Sequence, residues 1–487
     1  MLAVRYTEKV VVIGAGISGL ACAHRLKQLG CRPRLLEASE HAGGLIRTIR
    51  RDGFLFETGP QCPRFPRSVW QLMRDLRLEH EFVAGDPKAA RYVFRRGGLH
   101  PAPFSPMGLI ATRLVGLRSK LRILTEPLRY SRPPDREESL ADFVERKFGR
   151  EVLNNLVDPL ISTIFFADAH KMGMESAFPA LVEWERSQGS LVRGALRARR
   201  SERDASKADG SSESFASSRP DTNQGSLRVT DALPTLGSFR SGMGTLPERL
   251  AEELHAETWY KMPAASVGPL PESAGASKTR WQIRLKGGEP VTAQYLVLAV
   301  PAHVAAGLLE ASAPQLAWHL KAIEYAPIGV VSSAYERSKV ANPLEGFGFM
   351  VPRREGLHTI CTFWNSSLFK ERAPEGTALF TSFGRTDAKG GAMSDQEYAR
   401  VVEAENAHIL GISGEPVARL VLKDSPALPQ YNVGHGRQVA EIYRILSTLP
   451  NLFLTGNFLK GRSIGDCVDV AYRVAEDLHS QLQGQSI

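Results

Sequence analysis

The sequence predicts an α/β protein in which a first domain is interrupted by a second domain and then completed near the C-terminal end. An apolar run at 10–13 leads directly into the glycines of GAGISG, which predicts a strand, a tight turn and a helix. Segment 451–484 begins with NLFLTGNF and repeats the order of strand, glycine turn and helix. Between them lie a mostly helical stretch and then several strand-like runs, so we expect an inserted α+β domain. A chain of 487 residues exceeds what one core usually sustains, which also favours two or more domains.

The first strand, turn and helix form a typical dinucleotide fingerprint of the Rossmann type. Gly14 permits the tight turn, Gly16 lets the backbone approach a pyrophosphate, and Gly19 lets the helix pack on the strand. The helix, expected from Ile17 to about Gly30, offers N–H groups and a partial positive charge to phosphates. An acidic residue closes the second strand 23 residues after the first glycine, where a ribose hydroxyl is bound. The residues predicted to line this part of the site are Gly14, Gly16, Ile17, Ser18, Gly19, Glu37 and Ala38.

The stretch after the second strand, EASEHAGGLIRTIRRDGFLFETGP, separates FAD from NAD. A plain NAD domain has no use for a second glycine pair followed by an arginine. In flavoproteins that resemble the amine oxidase superfamily, these residues follow the pyrophosphate and ribityl chain, and the closing segment reaches the ribityl and pyrimidine end. The resemblance implies a non-covalent FAD, because the cysteine-bearing tether of related amine oxidases is absent. Its further cofactor residues are Gly43, Gly44, Arg47, Gly59, Pro60, Val267, Gly456, Ile464 and Asp466.

Six later segments carry a more specific resemblance. They are RYVFRRGGLHPAP at 91–103, DPLISTIFFADAHKMGMESAFPAL at 158–181, SFRSGMGTLPERL at 238–250, GFGFMVPRREG at 346–356, SSLFKERAPEG at 366–376 and LPQYNVGH at 428–435. In this order they resemble the oxygen-dependent, FAD-containing protoporphyrinogen oxidases over nearly the whole length. The resemblance implies a six-electron oxidation of a porphyrinogen in haem synthesis, in which three O2 become three H2O2.

The same resemblance implies a substrate site of four residues. Arg91 stands where the family binds a propionate, while Phe347 and Met350 stand where apolar side chains enclose the macrocycle. Ala167 replaces a glycine whose carbonyl faces the pyrrole N–H groups, and its added Cβ is expected to narrow the site. A second departure is Val470-Ala471, where a Ser-Gly pair commonly opens the closing helix.

Three alternatives to protoporphyrinogen oxidation remain at this level. Coproporphyrinogen III, with four propionates in place of two, would favour a more cationic pocket. Another flavoenzyme, such as an amine oxidase or a carotenoid desaturase, is a second class, although TGNFLKG lacks a complete aromatic cage. A non-catalytic FAD-holding scaffold is the third. No catalytic side chain is assigned, because flavin N5 itself accepts the hydride. The histidines expected to be structural or solvated are His24, His303 and His435.

Composition narrows the partners and the compartment. The net charge is +9, but the basic residues form no block with interleaved aromatics, so we expect no nucleic acid partner. Five cysteines without a CxxC pair predict reduced thiols, and no metal-ligand cluster is present. With no signal peptide before Lys9 and no apolar run long enough for a membrane span, we expect a cytoplasmic protein, with peripheral contact at the inner face of the membrane as one option. A homodimer is compatible with the sequence.

The helical stretch contains one candidate membrane element. Apolar residues recur at spacings of four and three between 110 and 128, with basic residues beside them, namely Arg113, Arg118, Lys120 and Arg122. The first interpretation is a single core-facing helix, and the second is a basic amphipathic element on an anionic membrane. Pro127 weakens the last turn in both. The apolar positions are Ile110, Leu114, Leu117, Leu121, Leu124 and Leu128.

The predicted division of the chain follows from these patterns. The FAD-binding domain comprises 5–85, 229–303 and 437–484. A helical subdomain for substrate and membrane occupies 86–196, and a flexible serine-rich loop occupies 197–228, where large apolar residues are almost absent. The substrate-binding sheet domain occupies 304–436.

Overall fold

A computed structural model of the chain describes residues 6–208, 236–270, 280–386 and 393–484. The strands are β1 Tyr6–Ile13, β2 Arg34–Leu36, β3 Thr48–Arg51, β4 Phe54–Glu57, β5 Phe82–Ala84, β6 Arg91–Arg95, β7 Gly98–Pro101, β8 Gly237–Phe239, β9 Thr258–Trp259, β10 Ala264–Pro269, β11 Trp281–Leu285, β12 Val291–Leu298, β13 Tyr325–Glu336, β14 Gly348–Met350, β15 Thr359–Trp364, β16 Thr377–Arg385, β17 Ala418–Pro429 and β18 Leu452–Leu454. The helices are α1 Ile17–Gln28, α2 Arg67–Asp75, α3 Pro106–Ala111, α4 Leu117–Leu124, α5 Leu140–Phe148, α6 Arg150–Val152, α7 Asp158–Phe165, α8 Met174–Ala177, α9 Pro179–Gln188, α10 Leu191–Ala208, α11 Thr245–Glu253, α12 Ala302–Leu309, α13 Pro314–Lys321, α14 Asn365–Leu368, α15 Asp395–Leu410, α16 His435–Leu446 and α17 Ile464–Gly484.

The first sheet draws its strands from both ends of the chain and from its middle. Its order is β10-β11-β12-β1-β2-β9, and β18 pairs with β12. The strands β2, β1, β12, β18 and β9 run parallel, whereas β10 and β11 are antiparallel additions at one edge. Because a parallel sheet must be covered on both faces, alternate residues of β1 enter two different cores. Val10 and Val12 face the core under α1 and α17, while Val11 and Ile13 face the core under α12 and α13.

The second sheet is largely antiparallel, in the order β17-β13-β16-β15-β14-β6-β7. Its single parallel pair joins β6 to β14, with Arg91 opposite Gly348 and Val93 opposite Met350. Helix α15 covers one face through Tyr398, which packs with Val331 of β13. On another part of the sheet, Met350 packs with residues that follow or belong to α7. The helical stretch thus lies against the sheet that carries Arg91.

The structure corrects two boundaries predicted from the sequence. The stretch 86–196 is not wholly helical, because β6 and β7 within it form the edge of the second sheet. The predicted loop 197–228 begins with helix, since α10 continues to Ala208. The residues of α10 are rich in alanine and arginine, which are strong helix formers. The remainder of that predicted loop lies outside the described residues.

The single core-facing helix predicted between 110 and 128 is wrong. The chain forms α3, then an extended stretch, then α4, and finally a 3-10 turn at Glu126–Leu128. Gly116, in an extended conformation, precedes α4 as its N-cap, and Pro127 limits the 3-10 turn. Leu114 alone among the six apolar residues is fully buried, whereas Leu117 is 73% exposed and Leu128 is 84% exposed. No helix in the described ranges is long and apolar enough to cross a membrane.

A buried ion network holds the helical stretch together. Glu185 of α9 is fully buried and accepts hydrogen bonds from Arg146 at 2.7 and 2.9 Å, and Lys147 lies 3.1 Å from the same carboxylate. Ser131 donates a further bond at 2.5 Å. Burial alone would raise the pKa of Glu185, but the bonds from Arg146, Ser131 and Lys147 lower it to about 2. The carboxylate therefore stabilises the folded state in its charged form.

We expect acid to remove this contribution. Because the folded pKa lies below the unfolded value, the stabilisation is present above about pH 4.5 and is lost as the pH falls towards about 2. Glu185→Gln should lower the thermal midpoint at pH 6 and should lose less stability than the native protein between pH 6 and pH 3. The control is Glu175→Gln, which removes an exposed pair with Arg186 and should keep the native acid dependence. An acid dependence of Glu185→Gln that equals the native one would contradict this assignment.

Candidate functional site

The glycine turn after β1 has the close packing that the sequence predicted. Gly14 has φ +102°, and a Cβ there would lie 2.7 Å from the Ala299 carbonyl oxygen. A Cβ on Gly19 would lie 1.8 Å from the Gly14 carbonyl oxygen, so only glycine lets α1 pack on the turn. The Gly14 N–H donates to the Leu36 carbonyl oxygen at 2.8 Å. The turn is thereby fixed between β1, β2 and β12.

Gly16 differs from the other two glycines because its Cβ position is open. No heavy atom lies within 4 Å of a Cβ built there. Gly16 is also the N-cap of α1, which has no side-chain cap and no acidic residue in its first turn. Ile17 is half-buried and Ser18 is buried at that end. A helix N-terminus that opens onto space and has no acidic residue in its first turn suits a phosphate group.

A second loop closes over this turn. Gly16 and Gly43 form a parallel bridge, and the Gly43 N–H donates to the Ala15 carbonyl oxygen at 2.8 Å. A Cβ on Gly44 would lie 3.2 Å from the Cα of Gly16. The Arg47 side chain is exposed beside this loop. The structure therefore brings the predicted Gly43, Gly44 and Arg47 to the same place as the first fingerprint.

Glu37 stands at the end of β2, beside the turn. Its Oε2 accepts from the Ala15 N–H at 2.7 Å, and its Oε1 accepts from the Ser39 N–H at 2.8 Å. Ala38 is exposed next to it. The backbone N–H of Met262 donates to the Glu37 carbonyl oxygen at 2.8 Å. Sequence reasoning missed Met262, which follows the short strand β9 and has no side-chain signature.

Val267 is buried five residues farther along, in β10. Its side chain packs in the core with Trp281, and its carbonyl oxygen accepts from the Ser312 hydroxyl at 2.7 Å. Among the described residues, no hydrogen bond joins Val267 to Glu37 or to the glycine turn. Its predicted cofactor role stays a prediction, and the backbone at 261–262 lies closer to the acidic residue.

The segments at 57–61 and 455–467 complete the predicted cofactor set. A Cβ on Gly59 would lie 2.4 Å from the Leu45 carbonyl oxygen, and Pro60 follows it, half-buried. Gly456, with φ +154°, follows β18, and a Cβ there would lie 2.8 Å from a ring atom of Phe458.

Asp466 has a structural partner at the start of α17. It accepts from the Ser463 N–H at 3.0 Å, so it fixes the entry to the helix, where Ile464 is buried. The Cys467 thiol is buried nearby, and burial raises its pKa to about 12, so it stays a protonated thiol. Altogether, two glycine loops meet at an open helix N-terminus. The residues present fit a dinucleotide with an anionic pyrophosphate.

Arg91 begins β6, the strand next to the edge of the second sheet, and its side chain lies against an aromatic ring. Its guanidinium carbon is 4.4 Å from the ring centre of Phe347 and 5.4 Å from that of Phe104. Burial lowers the pKa of Arg91, and the nearby Asp86 does not offset this. No carboxylate of the described residues forms an ion pair with it. A half-buried guanidinium without an anionic partner can bind a carboxylate.

Phe347 begins a row of phenylalanine rings that runs from Arg91. Its ring centre is 5.7 Å from that of Phe363, which is 5.9 Å from Phe383. Phe383 is in turn 5.1 Å from Phe166, at the end of α7. The predicted Met350 is buried in the same cluster as Phe383. These residues form an apolar wall that starts at a cation.

Ala167 follows Phe166, which has φ +48°. The Ala167 side chain is buried, and the Ala167 carbonyl oxygen accepts a hydrogen bond from the Arg353 guanidinium at 3.1 Å. One lone pair of that carbonyl is therefore already used. Its predicted contact with a substrate stays a prediction.

The sequence analysis did not predict a second guanidinium, that of Arg462, although it lies within the closing segment 451–484. Its carbon lies 4.2 Å from the ring centre of Phe165 and 4.4 Å from that of Tyr431. Tyr431 stacks on His435 at 4.1 Å. Burial and the charge of Arg462 lower the pKa of His435 to about 4, so this histidine is neutral at pH 7.

The other two predicted structural histidines lie apart from this cluster. His24 is buried in α1, and burial lowers its pKa. His303 packs edge-on against Tyr325 at 5.0 Å. No group of three metal-ligating side chains occurs within the described part of the chain.

Known proteins are similar to this chain in sequence and in fold. A sequence profile described as flavin containing amine oxidoreductase matches residues 17–479. The chain is 31% identical to protoporphyrinogen oxidase 1, chloroplastic, of Arabidopsis thaliana, over 97% of this chain and 88% of the relative. It is 28% identical to coproporphyrinogen III oxidase of Bacillus subtilis (strain 168), over 96% of this chain and 97% of the relative.

A solved structure gives the same result for the fold. The crystal structure of a proposed protoporphyrinogen oxidase from Exiguobacterium sp. 255-15 has a TM-score of 0.77 and 24% identity, over 97% of this chain and 99% of that one. The profile spans most of the chain and includes α1 and most of α17, the two helices that pack together beside the glycine turn. The chain therefore belongs to the flavin-containing amine oxidoreductase family and is a flavin-dependent oxidoreductase.

Proposed function

We propose that the protein binds FAD non-covalently and oxidises protoporphyrinogen IX to protoporphyrin IX, with O2 as the electron acceptor. The observation that carries the proposal is the half-buried Arg91 guanidinium at the end of a phenylalanine row, because the substrate is a large apolar macrocycle with carboxylates. The Arabidopsis relative bears the name of this activity.

The residues of the cofactor site divide the work of holding FAD. The N-terminus of α1 at Gly16 and the loop at Gly43 would hold the pyrophosphate, and Glu37 would bind the ribose. When bound, FAD supplies two-electron oxidation, and three rounds with reoxidation by O2 give one porphyrin and three H2O2. The first sheet is then the FAD-binding domain, and the second is the substrate-binding domain.

The chain itself binds and orients the substrate. Arg91 would pair with a propionate, while Phe347 and Met350 would exclude water from the macrocycle. Ala167 would restrict the space at the end of α7. Proton transfer by a histidine is not part of this proposal, because His435 is held neutral beside a cation and makes no pair with a carboxylate among the described residues.

Coproporphyrinogen III is the second candidate substrate. The Bacillus subtilis relative is named for its oxidation, and a second guanidinium in the cluster around Tyr431 supplies charge for additional carboxylates. An amine oxidase, a carotenoid desaturase and a non-catalytic FAD holder lack a comparable observation, since none of them requires a cation beside an aromatic wall.

Anaerobic mixing of the flavin-loaded protein with each porphyrinogen tests the proposal. We expect protoporphyrinogen IX to bleach the oxidised flavin absorbance, and O2 to restore it with fluorescent porphyrin and peroxide. Arg91→Leu should lower kcat/KM about 10- to 100-fold, mainly through KM, because it removes a charge-assisted bond. The control, Arg437→Leu, lies on the exposed side of α16 and should keep the native rate. A flavin that neither porphyrinogen reduces would refute the proposal.

We also propose that the protein contacts membranes through an apolar surface on α3, α4 and the turn after them. Met107, Leu117 and Leu128 are each more than 70% exposed there, next to the exposed Arg113 and Arg118. Apolar side chains rimmed by cations suit the interface of an anionic bilayer. A protein at the inner face of the cell membrane would receive its apolar substrate from the lipid.

Vesicle binding tests this surface. The protein should sediment with vesicles of phosphatidylglycerol and phosphatidylcholine, and the double change Leu117→Ser with Leu128→Ser should weaken binding about ten-fold or more, because less apolar area is buried. The control is Trp318→Ser, which removes an equally exposed apolar side chain from α13. Equal binding of the double variant and the native protein would refute the proposed surface.

A further inference from the structure

Arg462 has the properties of a ligand-binding cation rather than those of a structural one. Its side chain is half-buried, and burial lowers its pKa to about 10, so it stays charged at pH 7. Its hydrogen bond to the Pro429 carbonyl oxygen is long, at 3.4 Å. Asp466 is the nearby carboxylate, but it is bound to Ser463 and forms no ion pair with Arg462. A desolvated guanidinium without an anionic partner is costly unless a ligand supplies the anion.

The row of phenylalanines that starts at Arg91 ends one residue from an aromatic partner of Arg462. From Arg91 the row passes through Phe347, Phe363 and Phe383 to Phe166. Phe165, the neighbour of Phe166 in the chain, lies under the Arg462 guanidinium at 4.2 Å. Arg91 therefore lies on the first ring of the row, and Arg462 lies on the ring of the residue that precedes its last member. Phe363, Phe166 and Phe165 keep part of their surface accessible, as the wall of a binding site requires.

We propose that Arg462 is a specificity-determining residue that binds a carboxylate of the substrate at the edge opposite to the one held by Arg91. This inference rests on the proposed function. A macrocycle with two propionates on the same edge can bind them only at a single guanidinium. A macrocycle with four propionates can bind both Arg91 and Arg462. Arg462 thus selects for macrocycles with carboxylates on opposite edges, and coproporphyrinogen III gains more from it than protoporphyrinogen IX.

The geometry also distinguishes this role from two others. Stacking between Phe165 and Tyr431 alone would make Arg462 structural, and its loss would then affect both substrates alike. If Arg462 instead contacted the cofactor through the closing segment, its replacement would change the flavin spectrum and would change kcat for both substrates. Only the proposed role predicts that the loss of Arg462 lowers activity on coproporphyrinogen III more than activity on protoporphyrinogen IX.

The test compares Arg462→Leu, Arg462→Lys and the control Arg437→Leu as flavin-loaded proteins. We expect Arg462→Leu to lower the ratio of kcat/KM for coproporphyrinogen III to that for protoporphyrinogen IX about ten-fold or more, through KM. Arg462→Lys should keep much of the ratio because it keeps the charge, and Arg437→Leu should keep all of it. An unchanged ratio for Arg462→Leu would overturn the inference, whether kcat falls for both substrates or not.

Binding of the products separates this inference from the proposed function. Coproporphyrin III and protoporphyrin IX are titrated into the native protein and Arg462→Leu, and binding is followed by tryptophan fluorescence. If the native protein oxidises neither porphyrinogen but binds coproporphyrin III through Arg462, the proposed function fails, and only the carboxylate-binding role of Arg462 stands. If Arg462→Leu binds both porphyrins as the native protein does, the inference fails while the proposed function is unaffected.

Discussion

Gly16→Val is expected to give a folded protein that purifies without flavin. The backbone at Gly16 has φ −71° and ψ 176°, which valine adopts without strain, and no atom lies within 4 Å of the new Cβ. The isopropyl group would enter the space at the N-terminus of α1 in which a pyrophosphate fits. If two charge-assisted hydrogen bonds are lost, flavin affinity should fall about 100-fold or more. The measurement is the flavin absorbance per protein, together with titration of added FAD.

Two comparisons isolate the steric effect. Gly307→Ala also introduces a Cβ into open space, on α12, and should keep its flavin and its thermal midpoint. Gly19→Ala should instead destabilise the protein itself, because its Cβ would lie 1.8 Å from the Gly14 carbonyl oxygen. A Gly16→Val protein with native flavin content would show that the cofactor does not pass this helix end.

Part of the cofactor site can be predicted from the sequence alone. Gly14, Gly16 and Gly19 are recognisable because a dinucleotide turn imposes fixed spacings on consecutive residues. The resemblance implied that Gly43 lies along the pyrophosphate, and the structure shows a bridge between Gly43 and Gly16. Met262 could not be found in this way, because its hydrogen bond to Glu37 uses the backbone N–H and therefore leaves no side-chain signature in the sequence.

The substrate side was less predictable for a physical reason. Phe347 and Arg91 became neighbours through the pairing of β6 with β14, which lie far apart in the chain. The stripe from Ile110 to Leu128 has helical spacing, but Gly116 and Pro127 break it, and most of its apolar side chains are exposed. Periodicity indicates which residues share a face. It does not indicate whether that face meets a core or another surface.

We expect Arg372→Met to be among the most destabilising single changes in this protein. Arg372 is 1% exposed and lies 3.4 Å from Glu57, which is equally buried at the end of β4. Glu57 also accepts from the Met243 N–H and the Thr48 hydroxyl, both at 2.8 Å. Removing the cation leaves a buried carboxylate without its counter-charge, which costs about 3–5 kcal/mol of unfolding free energy. The thermal midpoint should fall by roughly 10 °C.

The same change should also weaken flavin binding, because Glu57 lies two residues before Gly59. Arg372 further donates to the Ser238 hydroxyl and the Phe239 carbonyl oxygen, at 2.5 and 3.1 Å, so it joins β4, β8 and the segment after α14. Flavin fluorescence should therefore appear at a lower temperature in Arg372→Met than in the native protein.

Two controls decide whether the buried charge is the cause. Arg240→Met removes an exposed ion pair with Glu371 close by, and it should cost less than about 1 kcal/mol. Adding Glu57→Gln to Arg372→Met should restore part of the lost stability, because a neutral amide is cheaper to bury than an unpaired carboxylate. If the double variant is as unstable as Arg372→Met, the loss comes from the bonds to β8 rather than from the charge of Glu57. If Arg372→Met itself melts within about 2 °C of the native protein, the pair of Arg372 with Glu57 does not hold β4 and β8 together.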